Sequence, residues 1–450
     1  MFRENQNIHF VGIGGSGMSG IAEVLINLGH SVSGSDLKKT DVTEHLKAIG
    51  AKIYIGHNCE NIKSAEVVVT STAISRNNPE VVAAFKKKIP IISRIEMLAE
   101  LARLKYAVTI TGTHGKTTTT SLISLVLYDG GLDPTVIIGG RLKNLKTNAK
   151  LGRGDYIVVE ADESDGSFLK LSPVVTVVTN IDNDHLDYYG NMENLKEAFV
   201  KHINCIPFYG AAIICSDNEV VRKIIPKITR KYVTYGLAGN PDIKASNIKV
   251  LRNRMSFDVV YMGKKAGNIC IRVPGKHNVS NSLAAIGVGL RLGISFSSIA
   301  DTINKFDGVS RRLEIKGEKN GVTVIDDYGH HPTEVVVTLR AIKHFWPERR
   351  LVVLFQPHRY TRTKQLFNEF GRSFSDADFV KVLDVYSAGE QPIDGVTSDL
   401  ILESLVSNKC RAGKFSDLEE FSKDISAGDI VLTLGAGDVW KKGEELLALI

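Results

Sequence analysis

Short apolar runs alternate with amphipathic stretches along the first half of the chain. NIHFVGI leads into the helix-like GMSGIAEVLINLG, AEVVVTS follows, YAVTI leads into TTTTSLISLVLYDGG, and YIVVEA and VVTVVTN come next. An apolar run, a Gly-rich turn and a helical period in that order predict parallel βαβ units with helices on both faces of the sheet. The fold class is α/β. The pattern breaks twice. Near Leu104–Tyr106 the helical IEMLAELARLK gives way to a new strand, and near Gly308–Glu314 GVSRRLE interrupts before VTVIDDYGHHPTE begins another strand, turn and helix. Three domains are expected, over residues 1–105, 106–309 and 310–450, with no short-period repeats and no low-complexity segments.

Size and composition agree with that division. A chain of 450 residues is too long for one ordinary core. With 43% hydrophobic and 24% charged residues it is composed like a soluble globular protein. A net charge of +6, with Lys and Arg scattered among acids, suits anionic ligands and argues against nucleic acid as a partner. The cysteines (Cys59, Cys205, Cys215, Cys270, Cys410) are odd in number, far apart and free of any Cys-x-x-Cys pair, so neither disulfides nor a zinc site is expected. No segment approaches the ~18 uninterrupted apolar residues of a membrane span. A reducing, cytoplasmic compartment and no membrane insertion are the expectations.

Candidate chemistry begins at two glycine turns. Gly12-Ile13-Gly14-Gly15-Ser16-Gly17 matches G-x-G-x-x-G between a strand and a helix, and Asp36 follows where a ribose-binding acid would stand. Glycines admit a pyrophosphate close to the backbone, and the helix N-terminus supplies N–H groups. A dinucleotide such as NAD and a UDP-sugar satisfy this equally, and a ligand-free tight turn remains the bland alternative. The second turn, Gly112-Thr113-His114-Gly115-Lys116-Thr117, with Thr118 beyond it, resembles a Walker A loop shortened by two residues between its glycines. Backbone N–H groups would cradle the phosphates of ATP, Lys116 would neutralise their oxygens, and the Thr117 hydroxyl would ligate Mg²⁺.

Such a loop requires a metal-holding acid at a neighbouring strand end, and YIVVEADESD places Glu160 there. Asp162, Glu163 and Asp165 just beyond read as a solvated turn. The run VVTVVTN ends in IDNDHLD, which brings Asn180, Asp184 and His185 to the same sheet edge, where ligands of open α/β sheets bind. Lys116, Glu160 and His185 are the catalytic candidates, and Thr117, Glu160 and His185 the metal ligands. Asn304-Lys305-Phe306-Asp307 spells the N-K-x-D of GTPases, but the preceding ISFSSIADTINKF is helical in pattern, so the match is chance.

GIGGSGMSG, TGTHGKTTT, EADESDGSF, NIDNDHLDYYG, PGKHNVSNSLAA, GVSRRLE, DDYGHHPTE, QPHRYTRT and GAGD occur in this order over nearly the whole chain. This ordered set resembles the Mur ligases. The resemblance implies a Rossmann-like N-terminal domain for a UDP-sugar, a central P-loop ATPase-type domain with a mostly parallel sheet, and a Rossmann-like C-terminal domain that closes over the site and admits the amino acid. It implies joining of L-alanine to the carboxylate of UDP-N-acetylmuramate through an acyl phosphate, with ATP and Mg²⁺ or Mn²⁺ as cofactors, in a monomer or homodimer. A sibling activity adds a preformed peptide to the same UDP-sugar.

By the same resemblance, Gly14, Gly15, Ser16 and Gly17 hold the sugar nucleotide's pyrophosphate, with Asp36, Thr70 and Ser71 near the nucleotide. His277, Asn278 and Asn281 approach the adenine or its phosphates, although Asn278 could equally cap a helix. Arg312 faces the nucleotide from the hinge, and Asp327 joins it from the C-terminal domain. Adjacent His330 and His331 point to opposite sides, so one ion would not take both. Pro332 suits a first helical turn, which presents Tyr328 and His330 to the site. Arg359 and Arg362, after the strand RLVVLF, would contact the anionic substrate.

Overall fold

The computed structural model describes residues 5–138, 149–184, 186–251 and 254–450. Three sheets organise them, of five, ten and six strands. The chain divides into two compact units. One comprises Met1–Ser246, Asp258–Ile269 and Ser280–Asn304; the other comprises Asn247–Phe257, Cys270–Val279 and Lys305–Ile450.

In the first unit the N-terminal sheet contains β1 (Asn7–Val11), β2 (Ser31–Asp36), β3 (Lys52–Ile55), β4 (Val67–Thr70) and β5 (Ile91–Ser93). Its order is β3-β2-β1-β4-β5, and every neighbouring pair is parallel. The strand order reverses beside β1, and the glycine turn leaves β1 at that switch point, where open α/β sheets take ligands. A buried polar network braces this sheet. The Glu80 carboxylate accepts hydrogen bonds from Ser35 Oγ at 2.5 Å and Asn61 Nδ2 at 2.6 Å, with His9 Nε2 3.6 Å away. Burial opposes its charge, yet the nearby His9 ring and the hydrogen bonds of Ser35 and Asn61 prevail and hold Glu80 down at about 2.

The ten-stranded sheet continues the chain with β6 (Tyr106–Thr111), β7 (Thr135–Ile137), β8 (Ala149–Lys150), β9 (Tyr156–Glu160), β10 (Val175–Val178), β11 (Ala211–Cys215), β12 (Tyr232–Gly236), β13 (Ile243–Leu251), β14 (Arg254–Tyr261) and β15 (Lys264–Ile271). Its order is β15-β14-β13-β12-β11-β10-β6-β9-β7-β8. β6 lies between β9 and β10, parallel to both. Their apolar runs are near-continuous because helices cover both faces, as for any buried parallel strand. The core running from Phe10 through Val159 to Phe199 is shared by the N-terminal and central sheets. Within it Thr109 Oγ1 of β6 and Thr176 Oγ1 of β10 lie 3.2 and 3.1 Å from His202 Nε2. Burial lowers the His202 imidazole to about 4 and keeps it neutral.

The second unit carries β16 (Glu314–Lys319), β17 (Val322–Asp327), β18 (Leu351–Phe355), β19 (Phe379–Val382), β20 (Ala412–Lys414) and β21 (Ile430–Leu434). Their order is β16-β17-β21-β18-β19-β20, with only β16 antiparallel to its neighbour among these pairs. Val335, Leu339 and Ile342 of one helix pack with Phe370 of another and with Phe374 just past its end, and on the other face Phe421, Val439 and Leu446 pack with Val431. Among the described residues, no helix is long and apolar enough to cross a membrane.

Candidate functional site

The shortened loop leaves β6 at Thr111 and enters the helix Lys116–Leu127, whose N-cap is Gly115 in the left-handed region. The end of β10 clamps it. His114 N donates to Asn180 Oδ1 at 2.8 Å, Thr113 N to Asn180 O at 3.1 Å and Asp182 N to Thr113 Oγ1 at 2.9 Å. Thr179 Oγ1 donates to His114 O at 2.7 Å. Gly112 has φ +128°, and a methyl group there would strike Thr179 Oγ1 and the Asn180 backbone. No other residue fits. The helix is buried through Leu127, and two of its hydroxyls bond back along it: Thr120 Oγ1 to Lys116 O at 2.8 Å and Ser121 Oγ to Thr117 O at 2.7 Å. Thr118 is buried in the first turn.

Charge converges on Lys116. Its Nζ donates to Glu163 Oε1 and Oε2, both at 2.9 Å, and to the carbonyls of Gly112 at 2.8 Å and Thr113 at 3.3 Å. Burial works against its charge, but Glu163, Asp162 and Glu160 outweigh it and raise its pKa. Burial pushes the Glu163 carboxyl up, against the pull of Lys116, and the proton stays on the lysine. Beside this pair, Thr117 Oγ1 donates to Glu160 Oε1 at 3.0 Å, at the end of β9. A hydroxyl and a carboxylate next to a phosphate-type loop form a hard-oxygen donor set. Glu163 is 1% exposed, which corrects the expectation of a solvated turn: the chain folds it inward because Lys116 requires a partner. Asn281 also reaches the loop, its Oδ1 3.0 Å from a methyl group placed on Gly115. His185 lies outside the described residues.

The N-terminal turn is built without a lysine. Gly14 N donates to Asp36 Oδ2 at 2.8 Å, which ties the turn to the end of β2. Gly15 caps the helix that Ser16 opens and Gly17 continues. Thr70 ends β4, the neighbour of β1, and Ser71 follows it. Arg94, first residue of the helix Arg94–Ala102, reaches this turn: its guanidinium lies where a side chain on Gly17 would have to be. Its Nη2 is 3.9 Å from Asp162 Oδ2, so it joins the turn to the acidic run that faces Lys116.

In the second unit the expected residues gather at the ends of β17 and β18. Asp327 is buried: its Oδ2 accepts Leu313 N at 2.8 Å, and its Oδ1 accepts Gly329 N at 2.8 Å and Thr338 Oγ1 at 3.3 Å. Burial, against the pull of Arg312, raises it to about 6. The side chains of Arg311 and Arg312 lie over the Tyr328 ring at 4.9 and 5.1 Å. The rings of Tyr328, His330, His358 and Tyr386 follow one another at 5.5, 5.7 and 5.7 Å, the last pair stacked. Burial lowers His330 to about 4 and His358 to about 3. Arg362 Nη1 is 3.3 Å from His358 Nδ1, and Arg359 caps the helix Tyr360–Ser373 with φ +73°. His331 is the N-cap of the helix Pro332–Phe345, its ring accepting from Thr333 N at 3.3 Å, while its backbone N–H and that of His330 both donate to Glu334 Oε2. His277 is lowered to about 4 by burial and then by Arg312. Asn278 Nδ2 donates to Pro274 O at 2.6 Å.

The structure thus groups Gly112–Thr118, Glu160 and Asn281 in one unit, and Arg312, Asp327, Tyr328, His330 and Arg362 in the other. Sequence reasoning missed Arg94, His358 and Tyr386 altogether; only the position of His358 inside QPHRYTRT carried a signal. Asn304 ends the helix Phe296–Asn304, where no guanine-reading loop could follow a strand.

Three family models match the chain: the Mur ligase family catalytic domain over residues 7–106, the Mur ligase middle domain over 110–289 and the Mur ligase glutamate ligase domain over 311–437. The UDP-N-acetylmuramate–L-alanine ligase of Endomicrobium trichonymphae is 89% identical over 450 residues, covering 100% of both chains. The protein of the same name from Geobacter sulfurreducens is 52% identical over 100% of this chain and 98% of its own. A solved structure of UDP-N-acetylmuramate-alanine ligase from Thermotoga maritima superimposes with a TM-score of 0.85 at 30% identity, covering 99% of each chain.

Proposed function

The chain belongs to the Mur ligase family, and on that premise we propose that it joins L-alanine to the carboxylate of UDP-N-acetylmuramate at the expense of ATP. The convergence of Lys116, Thr117 and Glu160 at one strand edge carries the chemistry. The identity of its relatives supplies the substrates. In this reading the muramyl carboxylate attacks the γ-phosphate of ATP, and ADP leaves with an acyl phosphate formed. The amine of L-alanine then attacks the acyl carbon, and phosphate departs.

Both partners in the first step are anions, so cationic screening decides whether they meet. Lys116 supplies it at the phosphates, and the backbone N–H groups of Gly112–Thr118 hold the phosphate oxygens. Thr117 and Glu160, with His185 by resemblance, would hold Mg²⁺, which when bound neutralises further phosphate charge. Asn281 suits the nucleotide because its side chain reaches the loop at Gly115, and by resemblance His277, Asn278, Arg312 and Asp327 serve the nucleotide as well. Gly14, Gly15, Ser16, Gly17, Asp36, Thr70 and Ser71 hold the UDP-sugar, and Arg94 joins them. Tyr328, His330, Arg359 and Arg362 serve the amino acid and the anionic intermediate.

We place the domain boundaries at 1–105, 106–309 and 310–450, and the enzyme in the cytoplasm as a monomer or homodimer. The odd number of cysteines, far apart and without a Cys-x-x-Cys pair, supports a reducing compartment. The test is phosphate release from ATP with UDP-N-acetylmuramate across L-alanine, glycine, L-serine and a tripeptide. Release is expected to require the sugar nucleotide and to be fastest with L-alanine; a preference for the tripeptide would overturn the assignment in favour of the sibling activity.

A further inference from the structure

The protonated Lys116 side chain has three N–H bonds, and the loop and its surroundings engage all of them, with Glu163 and with the carbonyls of Gly112 and Thr113. The carboxylate that holds it is almost wholly buried and grips with both oxygens. A phosphate oxygen can take the ammonium only by displacing one of these partners, and the carboxylate is the only anion in direct contact with Nζ among the described residues. Resting on the ATP assignment above, we propose that Glu163 is a resident competitor for the nucleotide's phosphates, which holds Lys116 between turnovers, weakens nucleotide binding and speeds the departure of ADP.

The physical case is one of a buried ion pair exchanging one anion for another. Removing the resident anion leaves a buried ammonium short of a partner in the empty state. The nucleotide-bound state, where phosphate pairs with Lys116, does not suffer that loss. The gap between the two states therefore widens, and binding tightens. Asp162 and Glu160, which also favour the charged form of Lys116, are untouched in the variant. The segment itself stays anchored, since Tyr189 Oη donates to the Glu163 carbonyl and not to its side chain.

Titration calorimetry with ADP decides the matter. Glu163→Gln is expected to lower the Kd for ADP by about tenfold, the range of one charged hydrogen bond. Release of a fluorescent ADP analogue should slow by a similar factor. A purely structural role for Glu163 predicts weaker binding, so an unchanged or raised Kd in a folded Glu163→Gln protein overturns the proposal. Should that variant not fold, Glu163→Asp carries the test. Its shorter carboxylate loses the two-oxygen grip, and ADP should tighten two- to threefold; unchanged binding there overturns it equally. A wild-type chain that fails to bind ADP would instead remove the ATP assignment on which the inference rests.

Discussion

The two glycine turns of the first unit share one plan and differ in charge. Each follows a central parallel strand and opens a helix. The N-terminal turn has no lysine, and an acid, Asp36, ties its backbone at Gly14 N. The turn after β6 carries Lys116 among Glu160, Asp162 and Glu163. One turn offers N–H groups and the edge of an arginine, which is enough to hold a diphosphate that does not react. The other concentrates opposite charges that rearrange when phosphate arrives, which a reacting phosphoryl group requires.

The sharpest break in that comparison is Lys116→Ala. Turnover should fall by at least about 10³-fold, the scale of losing a transition-state electrostatic contact. UDP-N-acetylmuramate should still bind by calorimetry. Loss of that binding in a folded variant would mean that the two turns do not divide the work.

Acid should separate the two sheets next. His202 lies at about 4 in the fold against 6.5 ordinarily, so its contribution is complete above pH 6.5 and is lost as pH falls towards 4. Glu80 lies at about 2 against 4.5, so its contribution is lost only between pH 4.5 and 2. Each amounts to about 3 kcal/mol by linkage. Hydrogen exchange followed from pH 7 to 4 should loosen β6 and β10 before β1 and β2; the reverse order would contradict the assignment.

Gly112→Ala should cost about 1–3 kcal/mol in denaturant unfolding, because the left-handed backbone and the Asn180 backbone leave a methyl group no room. Gly17→Ala meets only the movable end of Arg94. Stability should hold while the Kd for UDP rises about tenfold, or about 1.4 kcal/mol, with ADP binding unchanged. Equal weakening of both nucleotides would blur the distinction between the turns.

Sequence reasoning succeeded where chemistry and periodicity coincide along a short stretch. Strand, glycine turn and helix are local, so both turns and the strand-end position of Glu160 could be read directly. Pro332 likewise marked the helix start that His331 caps. Contacts across the chain were hidden. Glu163 sits among acids that look solvated one by one, and only folding reveals that Lys116, 47 positions earlier, draws it inside. Arg94 meets Gly17 through the return of β5 to the edge of the sheet, which no spacing rule encodes. The row of rings from His330 through His358 to Tyr386 depends on β17, β18 and β19 ending together, and single aromatic residues after strands carry no such signal.

The most direct test of carboxylate activation follows an oxygen atom. UDP-N-acetylmuramate labelled with ¹⁸O in its muramyl carboxylate is turned over with ATP and L-alanine, and the phosphate released is weighed by mass spectrometry. Passage through an acyl phosphate predicts one carboxylate oxygen in each phosphate and the other in the new amide. Unlabelled phosphate alongside amide product would contradict the account, because ATP would then have been cleaved by water and not by the carboxylate.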